Sequence, residues 1–235
     1  MTVAEIKREL ERCSHEERLQ IFRHLRKEFT IHQLERDYRV PAEVILEAIA
    51  RAPDLTQRGF RGVIAEAIFI QEVMPHAVTK GWRDTTPPNT ENPSFDARLQ
   101  RADCVARIQV KTQRKQGGTA MEKDFANSGR CFVVETQRTR SGKTNAREDT
   151  RPYRDDEFDI LAVCMFPSTN EWTTFRFALV RDLLRRPANR HLLAVLQPVP
   201  REPSLTGVWS TNLVDKLEEL AAMPKSHARG RRTPR

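Results

Sequence analysis

Residues 95–113 read FDARLQRADCVARIQVKTQ. In an extended chain, successive side chains alternate between two faces. Phe95, Ala97 and Leu99 then point one way, and Asp96, Arg98 and Gln100 the other. On the next segment Cys104, Ala106, Ile108 and Val110 take the apolar face, while Val105, Arg107, Gln109 and Lys111 take the opposite one. Gln109 and Lys111 therefore project side by side, and Asp96 joins them if the two segments form a hairpin. A carboxylate, a carboxamide and an ammonium on one face can move a proton or steady a developing charge. Upstream, Glu66 lies inside VIAEAIFI, where a charge is costly without a partner. Glu72 is a substitute for Glu66. Asp103 is a substitute for Asp96, but only five residues separate it from Gln109, which places it in the turn or on the same strand, so Asp96 is preferred. Each residue also has an ordinary reading: Asp96 as a turn cap, Lys111 as a solvated strand residue. The six histidines show no Ser or Cys partner pattern, so covalent Ser or Cys hydrolysis has no support.

The elements that must position these groups follow from period and caps. Ser14 with Glu17 is a capping box that opens a helix to about Phe29, with Leu19, Ile21, Phe22 and Leu25 as its expected buried stripe. Thr30 with Gln33 reads as a second capping box before the short helix IHQLERDY. Pro41 then stands at the first helical position of PAEVILEAIARA. The outline is that of a helix-turn-helix. Its second helix, however, opens with Glu43 and Glu47, not with the basic or amide side chains that read DNA, which favours a structural bundle. DLTQRGFRG (54–62) reads as a turn-rich connector, and GVIAEAIFIQEVM as an apolar helix. From Phe95 the period changes to two. FDARLQ, CVARIQVKT, CFVVETQRT and TTFRFALV read as strands, and FDILAVCMF as a central strand buried on both faces. VRDLLRR reads as the start of a helix, and Leu213 to Met223 as a last amphipathic one. Asp155, Asp156 and Glu157 read as a solvated strand entrance, and Asp159 as an ion-pair partner. The expected fold is α/β: a mixed central sheet flanked by helices, behind a helical N-terminal region. The expected segments are 1–58, a catalytic domain at 59–223, and a basic tail at 224–235.

The chain has 235 residues, 38% hydrophobic and 31% charged, enough to bury a sizeable core without staples. No run approaches about 18 apolar residues, so no membrane span is expected. The opening MTVAEIKREL carries charge in its first turns and does not read as a secretory signal, so a cytoplasmic protein is expected. Cys13, Cys104, Cys131 and Cys164 form no CxxC pair and read as small buried hydrophobes of a reducing compartment. Lys and Arg number 40 against 32 Asp and Glu, a net charge of +8. PKSHARGRRTPR (224–235) supplies five basic residues and no acid, and residues 137–154 carry six basic residues against two acids. Such segments favour a polyanion partner.

The pattern resembles the PD-(D/E)XK nuclease superfamily, whose best-known members are the type II restriction endonucleases. Pro93-Ser94-Phe95-Asp96 stands for the first half of the motif and Gln109-Val110-Lys111 for the second, with twelve residues between Asp96 and Gln109. Glu66 fits the Glu that many members add from the preceding helix. The resemblance covers roughly residues 60 to 180. Two departures stand out: Gln109 replaces the acidic residue, as in the Q-x-K group that includes intron-encoded homing endonucleases, and Pro93 lies two residues further from the Asp than the family name implies.

What the resemblance implies is phosphodiester hydrolysis with Mg²⁺, a hard cation that takes oxygen ligands. The implied metal ligands are Asp96, Glu66, the Gln109 amide oxygen and the Val110 carbonyl, with Lys111 orienting water or stabilising the transition state. Arg114 and Lys115, and Arg138, Arg140, Lys143 and Arg147 on the following loop, are the expected contacts to double-stranded DNA. The implied protein is a type II restriction endonuclease acting as a homodimer, with a companion DNA methyltransferase in the same system. The alternatives are a homing, repair or junction-resolving nuclease of the same superfamily, and a non-catalytic helix-turn-helix DNA-binding protein.

Overall fold

Side-chain caps set the helices at the start of the chain. Thr2 and Glu5 cap α1 (Val3–Arg12) reciprocally, and Ser14 and Glu17 do the same for α2 (His15–Leu25). The computed structural model describes residues 2–88, 93–138, 152–202 and 207–224. It divides into two units, Met1–Arg58 and Gly59–Arg235.

In the first unit, α3 (Gln33–Tyr38) is capped by His32, not by Thr30 as its sequence suggests. The reason is Glu35, whose carboxylate accepts from the Ile31 and His32 N–H groups at 2.5 and 3.2 Å. Arg39 closes α3 in the left-handed region (φ 55°). α4 (Ala42–Arg51) follows, with Pro41 at its N-cap and not inside the first turn. Glu35 also accepts from Ala42 N–H at 2.7 Å and pairs with Arg26, which reaches Glu43 at 3.1 Å. One carboxylate thus ties α2, α3 and α4. The expected buried stripe is absent: Ile21, Phe22 and Leu25 are exposed and Leu19 is half-buried. The α3–turn–α4 outline is present.

The division falls within α5 (Asp54–Ile68), so the expected connector at 54–62 is helical. Pro53 and Asp54 start the helix, and an Asp54–Arg58 pair at 2.5 Å supports its first turn against Gly59 and Gly62. A π-helical turn (Phe69–Val73) leads into α6 (Met74–Thr79). Pro75 has no N–H for the Gln71 carbonyl, and the ladder widens there: Met74 N–H bonds to Phe69 O.

β1 (Arg83–Asp84), β2 (Ala97–Arg101) and β3 (Cys104–Thr112) pair antiparallel in sequence. Arg101 faces Cys104, so the β2–β3 turn is Ala102-Asp103, with Ala102 at φ 49°. Next come a hairpin of β4 (Lys115–Gln116) and β5 (Thr119–Ala120) over Gly117-Gly118, both at positive φ, then β6 (Glu122–Phe125) and β7 (Gly129–Glu135). β8 (Ile160–Cys164) pairs parallel with β3, from Ile108 with Ile160 to Thr112 with Cys164. α7 (Phe166–Thr169) and β9 (Phe175–Leu179) follow, then a 3₁₀ turn at Val180–Asp182, a hairpin of β10 (Arg185–Arg186) and β11 (Asn189–Leu193), and β12 (Leu196–Val199). β13 (Trp209–Ser210) and α8 (Leu213–Ala221) close the unit. The order β1-β2-β3-β8-β9-β13 makes a six-stranded mixed sheet.

This is the expected α/β class. Every residue of β8 is buried. One face of the sheet packs Ala106, Ile108, Val110, Ile160 and Ala162 under Ala65, Phe69 and Ala77 of the helical arm and Leu213 and Leu217 of α8. The other face packs Leu161, Val163 and Ala178 against Val134, Tyr153, Phe158, Leu193 and Val199. CFVVETQRT contributes to that second layer: β7 sits between β12 and β6 in a separate sheet. VRDLLRR forms only the 3₁₀ turn at Val180–Asp182 and does not continue as an α-helix. Gln197, fully buried on β12, accepts from Leu184 N–H at 2.7 Å and donates to Leu184 O at 2.9 Å, which occupies the backbone groups a helix would need. Phe95 also departs from the expected alternation. It lies in a bend before β2 and packs on the second face, whereas Ala97 and Leu99 lie on the first.

Candidate active site

The β2–β3 register decides the central contact. Asp96 N–H donates to Ile108 O at 2.9 Å, one step beyond the Ala97–Ile108 pair, and this sets Asp96 across from Gln109. The Asp96 Oδ2 atom accepts from Val110 N–H at 2.7 Å and from Gln109 Nε2. Gln109 was expected to offer its amide oxygen here. It instead turns its NH₂ end to Asp96, because a carboxamide carries both functions and a half-buried carboxylate selects the donor.

The Asp96 and Lys111 charges both act on Glu66, and the Lys111 charge acts on Asp96. Burial pushes the Glu66 carboxyl up to about 7, the Asp96 charge adds to the rise, and the Lys111 ammonium opposes it. Burial also raises Asp96, against Lys111, the Val110 N–H and Gln109. Thr112 Oγ1 donates to Arg61 O at 3.4 Å, so the end of β3 is joined to the α5 turn just before Glu66. Glu72, the substitute, lines a different cavity of about 210 Å³ with His76, Phe175 and Asn212. Asp103 lies in the β2–β3 turn. The structure thus gathers Glu66, Asp96, Gln109 and Lys111.

Two residues were missed. Lys111 Nζ lies 5.2 Å from the centre of the Tyr153 ring, and Arg138 Cζ lies 5.4 Å from the same centre. Gln113, two positions beyond Lys111, is 2% exposed, and neither carboxamide atom has a hydrogen-bond partner among the described residues. The spacing Gln109, Lys111, Gln113 was a readable signal, since all three share one parity of the strand. No local signal links Tyr153 to Lys111.

The basic residues divide. Arg114 is committed to an ion pair with Glu135 and Arg138 to one with Glu157. Lys115 opens β4, half-buried. Arg140, Lys143, Arg147 and most of the 224–235 segment lie outside the described residues. Asp159 pairs with Arg107 through two bonds of 2.9 Å and also accepts from its backbone N–H at 2.8 Å, the ion-pair role expected of it. Asp156 is exposed, as expected, with Arg154 Nε at 3.3 Å, whereas Glu157, expected as solvated, is half-buried and accepts from Arg154 N–H at 2.8 Å.

A divalent cation fits this donor set. Two carboxylates act beside one ammonium, Glu66 is raised by burial and by the Asp96 charge, and the nearby acceptors are oxygens of the hard class. Among the described residues, no group of three or more His, Cys, Asp or Glu gathers as a metal cluster, and no helix is long and apolar enough to cross a membrane.

No protein-family model matches the chain, and no curated protein matches it. Among solved structures, the chain is similar to the bacterial homing endonuclease I-Ssp6803I, at 21% identity over 52% of this chain and 68% of that one, with a TM-score of 0.32.

Proposed function

We propose that the protein is a divalent-cation-dependent endonuclease that hydrolyses phosphodiester bonds in duplex DNA. The observation that carries the reading is the meeting of Asp96, Gln109 and Lys111 on adjacent strands, beside a half-buried Glu66 whose carboxyl is pushed up to about 7. Asp96 and Glu66 would hold magnesium as its acidic ligands, together with the Val110 carbonyl. Magnesium, when bound there, would neutralise charge on the phosphoryl group and make a water more acidic. Lys111 supplies a fixed positive charge beside the attacked phosphorus and a donor to its oxygens. Gln109 holds the Asp96 carboxylate in place through its NH₂ group. With Gln109 instead of a third carboxylate, the site favours one metal ion over two.

The finer reading is a sequence-specific enzyme of the type II restriction kind. Cutting both strands of a palindrome calls for two copies related by a two-fold axis. The test is cleavage of plasmid and phage DNA by purified protein with Mg²⁺ and with EDTA, alongside Asp96→Ala and Lys111→Ala. Discrete, Mg²⁺-dependent fragments that vanish in both variants support a restriction enzyme. Cleavage confined to branched DNA moves the reading to a resolving nuclease. DNA binding unaffected by Lys111→Ala, without cleavage of any substrate, overturns the enzyme reading.

A further inference from the structure

We propose that Tyr153 is a positioning residue for Lys111, holding its ammonium at the site through the face of the ring. The inference rests on the nuclease reading. Among the described residues the Lys111 ammonium makes no hydrogen bond or ion pair, and the defined contact at its end is the Tyr153 ring centre at 5.2 Å. That distance lies inside the range in which an aromatic quadrupole attracts a cation. A lysine stem has four rotatable carbons, so without such a contact the charge is spread over many rotamers.

The ring is itself held rigidly. Tyr153 is 5% exposed and packs edge-on to Phe158, with centres 5.3 Å apart and planes at 89°. Its carbonyl accepts from Leu193 N–H at 2.9 Å, and the preceding Pro152 bridges to Gln137. The ring therefore belongs to the second-face layer, while Lys111 belongs to the central sheet. Tyr153 also meets Arg138, whose guanidinium carbon lies 5.4 Å from its centre and which also pairs with Glu157. One ring thus meets both the Lys111 ammonium and the Arg138 guanidinium. Tyr153 touches no reacting atom in this scheme; it acts through Lys111.

The test replaces Tyr153 in the full chain with Phe, with Leu and with a series of phenylalanines carrying one to three ring fluorines. Fluorine drains the ring face of charge while hardly changing its volume. Single-turnover cleavage should stay within about twofold for Tyr153→Phe and fall about tenfold for Tyr153→Leu, with KM nearly unchanged. It should fall stepwise across the fluorinated series, by roughly twofold per fluorine. A merely structural role would move with side-chain volume and ignore fluorination. Equal rates for folded Phe, Leu and fluorinated variants overturn the proposal. A second measurement does not depend on activity: NMR of ¹³C-labelled lysine should show the Lys111 Hε protons shifted upfield by the ring and returned to the usual position by Tyr153→Leu. An unshifted wild-type signal overturns the contact. A wild-type chain that shows the shift but cleaves no DNA overturns the nuclease reading and, with it, the catalytic purpose of the contact.

Discussion

Glu35 in the first unit and Glu66 in the second are the same side chain under opposite conditions. Glu35 takes hydrogen bonds from three backbone N–H groups and the Arg26 guanidinium, and its carboxyl is held down to about 2, with Arg26 the largest cause. Glu66 is half-buried beside a second carboxylate, and it is pushed up to about 7. The surroundings differ in kind as well. Glu35 is the one buried residue that any of the helices α1 to α4 supplies, so its unit is held by caps and ion pairs. The second unit buries two apolar layers, one on each face of its sheet. A satisfied buried carboxylate is a structural joint. A half-buried one set beside a second carboxylate is costly to ionise, and that cost marks a candidate site.

The largest effect that would sharpen this contrast is on activity. Lys111→Ala and Asp96→Ala should each reduce Mg²⁺-dependent cleavage by at least about 10³-fold while leaving thermal unfolding of the second unit nearly in place. Loss of folding in both variants would remove the distinction between joint and site. Next comes Glu35→Gln, which should lower the helical signal in circular dichroism and Tm by several degrees at pH 7. Glu35 titrates lower in the folded chain than in the unfolded one. Its contribution is therefore present above about pH 4.5 and is lost as pH falls through about 2. The gap between wild type and Glu35→Gln should close over that interval in an acid titration.

Glu66 has the opposite sign. Its folded-state value is raised, so the stability linked to its protonated form is complete below about 4.5 and is lost as pH rises through about 7. Glu66→Gln should be more stable than wild type at pH 8 by roughly 1 kcal/mol after solvent screening, and the gain should shrink away by pH 5. Denaturant unfolding at the two pH values measures this, and a gain independent of pH would contradict the assignment. The smallest effect concerns α5. A Cβ added at Gly62 meets nothing within 4 Å. Gly62→Ala should therefore stabilise by about 0.5–1 kcal/mol through helix propensity, read from the urea midpoint.

Much of the site could be read because its geometry is local. A two-residue turn fixes the β2–β3 register, and once alternation places Gln109 and Lys111 on one face, Asp96 has only one place opposite them. Glu66 was legible for an energetic reason, a charge in the middle of an apolar helix. The misreadings have remote causes. Gln197 prevents a helix at residues 180–186 from thirteen positions beyond Leu184. Tyr153 reaches Lys111 only after the second layer has formed. The stretch DLTQRGFRG reads as a connector by its glycines, yet Pro53, Asp54 and the Asp54–Arg58 pair outweigh them. The stripe of α2 followed a sound periodicity, but its unit supplies nothing that covers Phe22 or Leu25.

The parallel pairing of β3 with β8 bears on how the protein reaches this state. The β2–β3 hairpin closes over two residues, whereas 51 residues lie between Thr112 and Cys164, partners that must meet for β8 to join. Closing a loop of that length costs about 3 kcal/mol in chain entropy beyond a length-independent part, and nothing is recovered until the strand docks. The contact between Asp96 and Gln109 therefore belongs to an early, fast event. The ring beneath Lys111 arrives with a late, slow one, so a newly made chain sets Asp96 against Gln109 before the Tyr153 ring reaches Lys111.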